Sequence, residues 1–286
     1  LRTASTDSIW RDLKIYKDHV YIISESQAHG MQVFDLTQLR GLAGPPVTFT
    51  ANMVVRSFST AHDIAINEES GFAYAVITNN CASARTLDLS NPASPVDLGC
   101  WGTRNRIHDA QCVNYKGPDA AFAGKEVCFT GDDGDGVGIY DVSDKANVAM
   151  VGSLRYVGAV YGHQGWLTED HKYFVFCDEL DEVDTRVKTT TYVFDVTNLR
   201  MPRELGRFPG RGGIFDLEGS IEHLEDTACS GQALLQRVDD AGIARGAAVD
   251  EAQDVFHRPL LGAVRGLQDH AAQGGAEGQG VDRRDQ

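Results

Sequence analysis

Thr191-Tyr-Val-Phe-Asp-Val-Thr-Asn-Leu199 decides how this chain is read, because three earlier stretches repeat its pattern. They are Met31-Gln-Val-Phe-Asp-Leu-Thr-Gln-Leu39, Arg85-Thr-Leu-Asp-Leu-Ser-Asn-Pro92 and Val137-Gly-Ile-Tyr-Asp-Val-Ser-Asp144. Their aspartates, Asp35, Asp88, Asp141 and Asp195, follow one another at intervals of 53, 53 and 54 residues. A second landmark keeps step with them. Arg11-Asp12, His62-Asp63, His108-Asp109 and His163-Gln164 each open an apolar stretch about 23 to 33 residues before the matching aspartate. A period near 50, held by two landmarks over four cycles, marks a repeat architecture.

Each cycle reads as strands joined by turns. In the second, His62-Asp-Ile-Ala-Ile-Asn67 is followed by a turn over Glu68 to Gly71, then by Phe72-Ala-Tyr-Ala-Val-Ile77. The Asp88 stretch makes a third strand, and Asn91-Pro92 with Pro95 ends it, since proline cannot donate to a ladder. Val96-Asp-Leu-Gly99 is left as an edge strand. No stretch before residue 210 carries an apolar stripe of helical period with caps. Four strands in about 50 residues predict an all-β fold, a β-propeller of four-stranded blades with about four blades evident. The repeated aspartates sit where a strand ends, ahead of Thr or Ser, and are expected to hold turns by accepting backbone N–H bonds.

The chain has 286 residues, 42% of them hydrophobic and 23% charged, the balance of a globular protein. Its formal charge of −15 argues against a nucleic-acid or anionic-membrane surface, which needs a basic patch. No apolar run reaches the length of a membrane span.

Several phrases together resemble a known family. Ser8-Ile-Trp-Arg-Asp-Leu-Lys-Ile-Tyr16, His29-Gly-Met-Gln-Val-Phe-Asp-Leu36, Gly71-Phe-Ala-Tyr-Ala75, Ile107-His-Asp-Ala-Gln-Cys112, Gly162-His-Gln-Gly-Trp-Leu-Thr-Glu-Asp170 and Asp178-Glu-Leu-Asp-Glu182 are similar to those of the LVIVD-repeat proteins called the choice-of-anchor B family. The resemblance covers about residues 5–208. It implies a secreted or surface-anchored β-propeller and supplies no reaction. It also implies a further repeat and a signal peptide ahead of the Ser8 phrase, where this chain has seven residues beginning at Leu1, so a processed form or fragment with an incomplete ring is expected.

The family pattern stops near residue 208. The domain expectation is a propeller over residues 1–208 and a divergent tail, disordered or partly helical, over 209–286. Past residue 210 there is no Tyr, Trp or Lys, and only Phe215 and Phe256 remain of the 24 aromatics. Such a change suits a segment read in another frame or joined from another exon. A divergent fifth blade is the alternative, for Val249-Asp250 lies 55 residues past Asp195, and Arg258-Pro-Leu-Leu-Gly262 echoes Pro202-Arg-Glu-Leu-Gly206.

Six cysteines, Cys81, Cys100, Cys112, Cys128, Cys177 and Cys229, include no C-x-x-C metal pair. Cys81 and Cys100 flank the Asp88 strand, and Cys112 and Cys128 fall on consecutive strands of the next repeat. Antiparallel neighbours come within disulfide reach, so Cys81–Cys100 and Cys112–Cys128 are the expected pairs, with Cys177 a buried free thiol. The alternative is that all are reduced core residues. Disulfides would place the chain in an oxidising compartment, extracellular or at the cell surface.

The second landmark begins the strand expected to line the propeller axis. Repeat symmetry would bring Arg11, Asp12, His62, Asp63, His108, Asp109, His163 and Gln164 around one channel mouth. Imidazoles and carboxylates so placed could hold a divalent ion, zinc-like or calcium, whose bound water would serve as a nucleophile, or an anionic ligand. They could equally bond a neighbouring blade's backbone and close the ring. Gly131-Asp-Asp-Gly-Asp-Gly136 offers Asp132, Asp133 and Asp135 as calcium donors, though the full twelve-residue loop is missing and a hairpin turn explains the same residues. Asp178, Glu179, Asp181 and Glu182 form an acidic loop able to attract cations or simply to be solvated. No Gly-x-Ser-x-Gly or glycine-rich phosphate loop occurs. The leading expectation is a binding or adhesion module for a protein or carbohydrate surface ligand; the alternative is a metal-dependent hydrolase with its His/Asp ring at the channel.

Overall fold

The computed structural model describes residues 1–209 apart from positions 9, 45, 104 and 189, and only the backbone at 182, 183, 208 and 209. The divergent tail, the fifth-blade alternative and Cys229 lie outside the described residues.

Sixteen strands make four sheets. The first holds β1 (Arg11–Tyr16), β2 (His19–Ser24), β3 (Met31–Asp35) and β4 (Met53–Val55). The second holds β5 (Asp63–Asn67), β6 (Phe72–Thr78), β7 (Cys81–Asp88) and β8 (Val96–Cys100). The third holds β9 (Asp109–Asn114), β10 (Glu126–Gly131), β11 (Val137–Asp141) and β12 (Ala149–Leu154). The fourth holds β13 (Gly162–Leu167), β14 (Tyr173–Asp178), β15 (Thr190–Asp195) and β16 (Arg203–Pro209). Each sheet is an antiparallel meander in chain order. Apart from a single helical turn at Leu36–Leu39 and another at Asp181–Thr185, the described residues form strands and loops.

The repeated aspartates act as the sequence expects. Asp35, Asp88, Asp141 and Asp195 each accept the backbone N–H two residues on, from Thr37, Ser90, Ser143 and Thr197, at 2.7–3.1 Å. The apolar residue between then pairs back to the turn before the second strand. Leu36 N–H donates to Asp18, Leu89 to Gly71, Val142 to Glu126 and Val196 to Lys172. Every cycle thus bends the chain out of its third strand in the same way. In the second, third and fourth sheets the third and fourth strands slip register just before the aspartate, at Thr86/Leu87, Ile139/Tyr140 and Val193/Phe194. An extra residue there increases the local twist of the outer strand.

Alternate side chains of each strand face opposite neighbours, so the core lies between sheets. Tyr21, Ile23 and Val33 meet Ile64, Ala73 and Leu87 between the first and second. Tyr74, Val76 and Trp101 meet Cys128 and Tyr140 between the second and third. Val127, Phe129 and Ile139 meet Phe174, Phe176 and Phe194 between the third and fourth. Consequently β10, with a neighbour on both faces, is buried at all six positions, while outer β8 is exposed or half-buried throughout. The first strands line up side by side, β1 against β5, β5 against β9 and β9 against β13. Among the described residues no comparable packing joins β13 back to β1.

Cys81–Cys100 and Cys112–Cys128 are both disulfide-bonded, the second pair directly across from each other on β9 and β10. Cys177 corrects the expectation of a free thiol. It is buried and disulfide-bonded, with its partner outside the described residues.

Candidate functional site

Strand pairing carries the histidines to one end of the first strands. His62 N–H donates to Val76 O at 3.1 Å and His108 N–H to Gly131 O at 2.7 Å, so both rings stand just ahead of β5 and β9. His163 is the second residue of β13. The three rings form a row, with centroids 4.4 Å apart between His62 and His108 and 4.7 Å between His108 and His163. Tyr161 meets the His108 ring edge-on at 5.0 Å. A close backbone contact sets the spacing of the last two histidines. A Cβ on Gly131 would collide with the carbonyls of Gly162 and His163, so only glycine lets β10 approach β13 this nearly. Gly162 N–H also donates to Asp133 O at 2.7 Å, tying the two sheets together beside the row.

Two glutamates join the row. Glu25, just past β2, accepts from His62 Nδ1 at 2.7 Å. Glu179, just past β14, places Oε2 at 3.8 Å from His108 Nε2 and 3.9 Å from His163 Nε2. Burial drives the His108 pKa down to about 2, with the His163 and His62 charges adding to it. Burial, then His62, lowers His163 to about 4. Both rings are therefore neutral at pH 7, each keeping a nitrogen lone pair.

One residue deeper, the carboxylates of the same landmark converge. Asp12 Oδ2 lies 2.6 Å from Lys14 Nζ, and Asp63 Oδ1 lies 3.5 Å from it. Burial and the neighbouring Asp63 raise the Asp12 carboxyl to about 7. Burial and Asp109 raise Asp63 as well. Burial alone would lower the Lys14 ammonium, but Asp63, Asp12 and Asp109 hold it above its ordinary range. Asp12 also accepts the Ile64 backbone N–H at 3.3 Å, a bond from one sheet to the next. Gln164 takes the corresponding place on β13. Arg11, by contrast, donates to the Thr6 carbonyl at 2.9 Å rather than to the histidine row.

Asp132, Asp133 and Asp135 have separate duties. Buried Asp132 accepts from Thr130 Oγ1 at 2.5 Å, Tyr140 OH at 2.6 Å and Asn105 Nδ2 at 3.0 Å. Burial raises it to about 6 against the lowering effect of those bonds. Asp133 lies in the left-handed region with φ +51° and has its carboxylate 3.4 Å from Arg106. Asp135 donates its N–H to Asp132 O within the turn. Among the described residues, the one group of three His, Cys, Asp or Glu side chains gathered closely enough for an ion is His108, His163 and Glu179. In the acidic loop, Asp178 accepts from Tyr156 OH, Val160 N–H and Tyr161 N–H at 2.7–2.9 Å, which fixes the segment carrying Tyr161. Asp181 is buried at the head of the turn Asp181–Thr185, and the Glu182 side chain lies outside the described residues.

Sequence reasoning passed over Glu25, Lys14, Tyr161 and Glu126. Glu126 is buried between the second and third sheets, where it accepts from Asn67, Ser70, Tyr74 and Lys145 at 2.5–2.8 Å. Glu25 was open to discovery, since it follows its second strand just where Glu179 follows β14.

Solved structures bear on the fold. A putative 6-phosphogluconolactonase from Bacteroides uniformis is 14% identical over 73% of this chain and 60% of its own, with a TM-score of 0.50. The Cps50 (Swd1) β-propeller domain of Myceliophteria thermophila is 12% identical over 70% and 58%, at 0.44. TolB from Acinetobacter baumannii is 14% identical over 68% and 42%, at 0.37. The fold is a β-propeller. At these identities the likeness speaks for the fold alone, and the chain spans between 42% and 60% of the length of the three. No protein-family profile matches the sequence, and no curated protein does.

Proposed function

We propose that this chain is the propeller of a secreted or cell-surface protein of the choice-of-anchor B type, and that it works as a binding module. Its ligand, a protein or carbohydrate surface, is taken at the end where the histidines meet. The observation that carries this reading is convergence: Glu25, His62, His108, His163 and Glu179 come from all four blades to one place. Side chains gathered from separate repeats at one end of a propeller are how such scaffolds present a ligand site. The disulfides within the second and third blades favour an oxidising compartment. The likeness to a lactonase is one of fold and does not favour a metal-dependent hydrolase at the same end.

The test is direct binding of the full-length chain to glycan arrays and to a panel of extracellular proteins. A ligand found there should bind at least about tenfold more weakly (1.4 kcal/mol) to Tyr161→Ala and His62→Ala. Met201→Ala, an exposed position beyond the aspartate turn at the opposite end of the fourth blade, should leave binding unchanged. A panel without a ligand, or a ligand weakened equally by all three variants, would overturn the reading.

A further inference from the structure

The three histidines of the row are not held alike. His62 is oriented by Glu25 through its Nδ1. His108 is only 5% exposed and has its Nε2 3.8 Å from the Glu179 carboxylate.

One ligand atom each from His108, His163 and Glu179 lies within 4.8 Å of the other two, and Glu179 Oε2 is nearly equidistant from the two Nε2 atoms. Donors around a tetrahedral ion with bonds of about 2.0–2.1 Å stand roughly 3.3 Å apart, so side-chain movements of about 1 Å bring the three onto one centre. The supports are fixed on each side. Gly131 against Gly162 and His163 locks β10 to β13, and Glu179 N–H donates to Tyr161 O at 3.1 Å while Asp178 anchors that same segment.

We propose that His108, His163 and Glu179 form a site for a divalent transition-metal ion of the zinc type, with a coordination position left open toward the end of the propeller. Two imidazole nitrogens and a carboxylate are a donor set suited to zinc, whereas calcium takes oxygen ligands throughout. His62, its ring 4.4 Å from His108, neighbours the site and is not one of the three ligands. This goes beyond the binding-module reading and stands without it.

The experiment is isothermal titration of the EDTA-stripped full-length chain with zinc chloride at pH 7.5, paired with cobalt(II) absorption. Wild type should take up one zinc per chain and give visible cobalt bands. His163→Ala and Glu179→Gln should bind at least tenfold more weakly, and His171→Ala, outside the row, should match wild type. Circular dichroism on each variant separates ligand loss from unfolding, and Glu179→Gln keeps the side-chain volume in case His163→Ala does not fold. Wild type without a stoichiometric zinc, or folded Glu179→Gln with undiminished affinity and cobalt bands, would overturn the site.

Discussion

Asp12, Asp63 and Asp109 stand close together on the first strands of three successive blades, with Lys14 between the first two. Burial and like charge favour the neutral form of Asp12, raising it from 3.8 to about 7. The stabilisation this gives is complete below about pH 4 and is lost as pH rises through 7. His108 and His163 run the other way. Their lowered values make their contribution full above pH 6.5, and it is lost as pH falls toward 4 for His163 and 2 for His108. Asp12→Asn fixes the neutral form. Its stability relative to wild type should therefore rise between pH 5 and pH 8 by on the order of 2 kcal/mol, as read by urea denaturation at both values. An unchanged difference would mean that Asp12 is ionised across that range. The cluster was half legible beforehand: repeat spacing announces the carboxylates, but Lys14 occurs in one repeat alone and leaves no periodic signal. Arg11 shows the opposite hazard, for it holds the repeat position of the histidines yet bonds to Thr6.

Within a blade, the elements are held by aspartate turns and, in two of the four, by a disulfide. Cys112 and Cys128 face each other across β9 and β10, 16 residues apart in sequence. Closing a loop of that size in the unfolded chain stabilises the fold by about 3 kcal/mol. Both sulfurs are buried, so Cys112→Ala with Cys128→Ala should lower the denaturation free energy by about that amount. A loss under about 0.5 kcal/mol would show that the bond does not constrain the chain. Both disulfides could be foreseen because their cysteines fall on adjacent strands of one repeat. Cys177 could not, since the other four cysteines of the repeats pair among themselves. Most strands were readable to within a residue or so: β5, β6 and β8 follow the expected segments, because alternation and turns agree there, while β7 begins at Cys81, four residues ahead of the expected Asp88 stretch. The histidine row was foreseen as a convergence. The part of Glu25 was not, and Glu179 was read only within an acidic loop, because a residue just past a strand carries no hydrophobic pattern to mark where it points.

At the scale of the whole molecule, stability among the described residues resides at three separate inter-blade cores rather than in one. The cluster between the first and second blades shares no residue with that between the third and fourth, and the core around Trp101, Tyr74 and Tyr140 lies between them. In an array of this kind each repeat contacts only its neighbours, so its free energy is close to a sum of nearest-neighbour terms. A closed ring would behave otherwise, since every interface would then bear on every other. Among the described residues no comparable packing joins β13 to β1, and the three cores follow one another in series there. Ile64 is fully buried in the first of these cores and Ile139 in the last. Ile64→Val and Ile139→Val should each cost about 0.5–1.5 kcal/mol, and the double variant should lose their sum to within about 0.5 kcal/mol. Urea denaturation of the three variants beside wild type measures this cycle. A coupling above about 1 kcal/mol would mean that strain passes through the middle core, and the blades would then have to be treated as one cooperative ring.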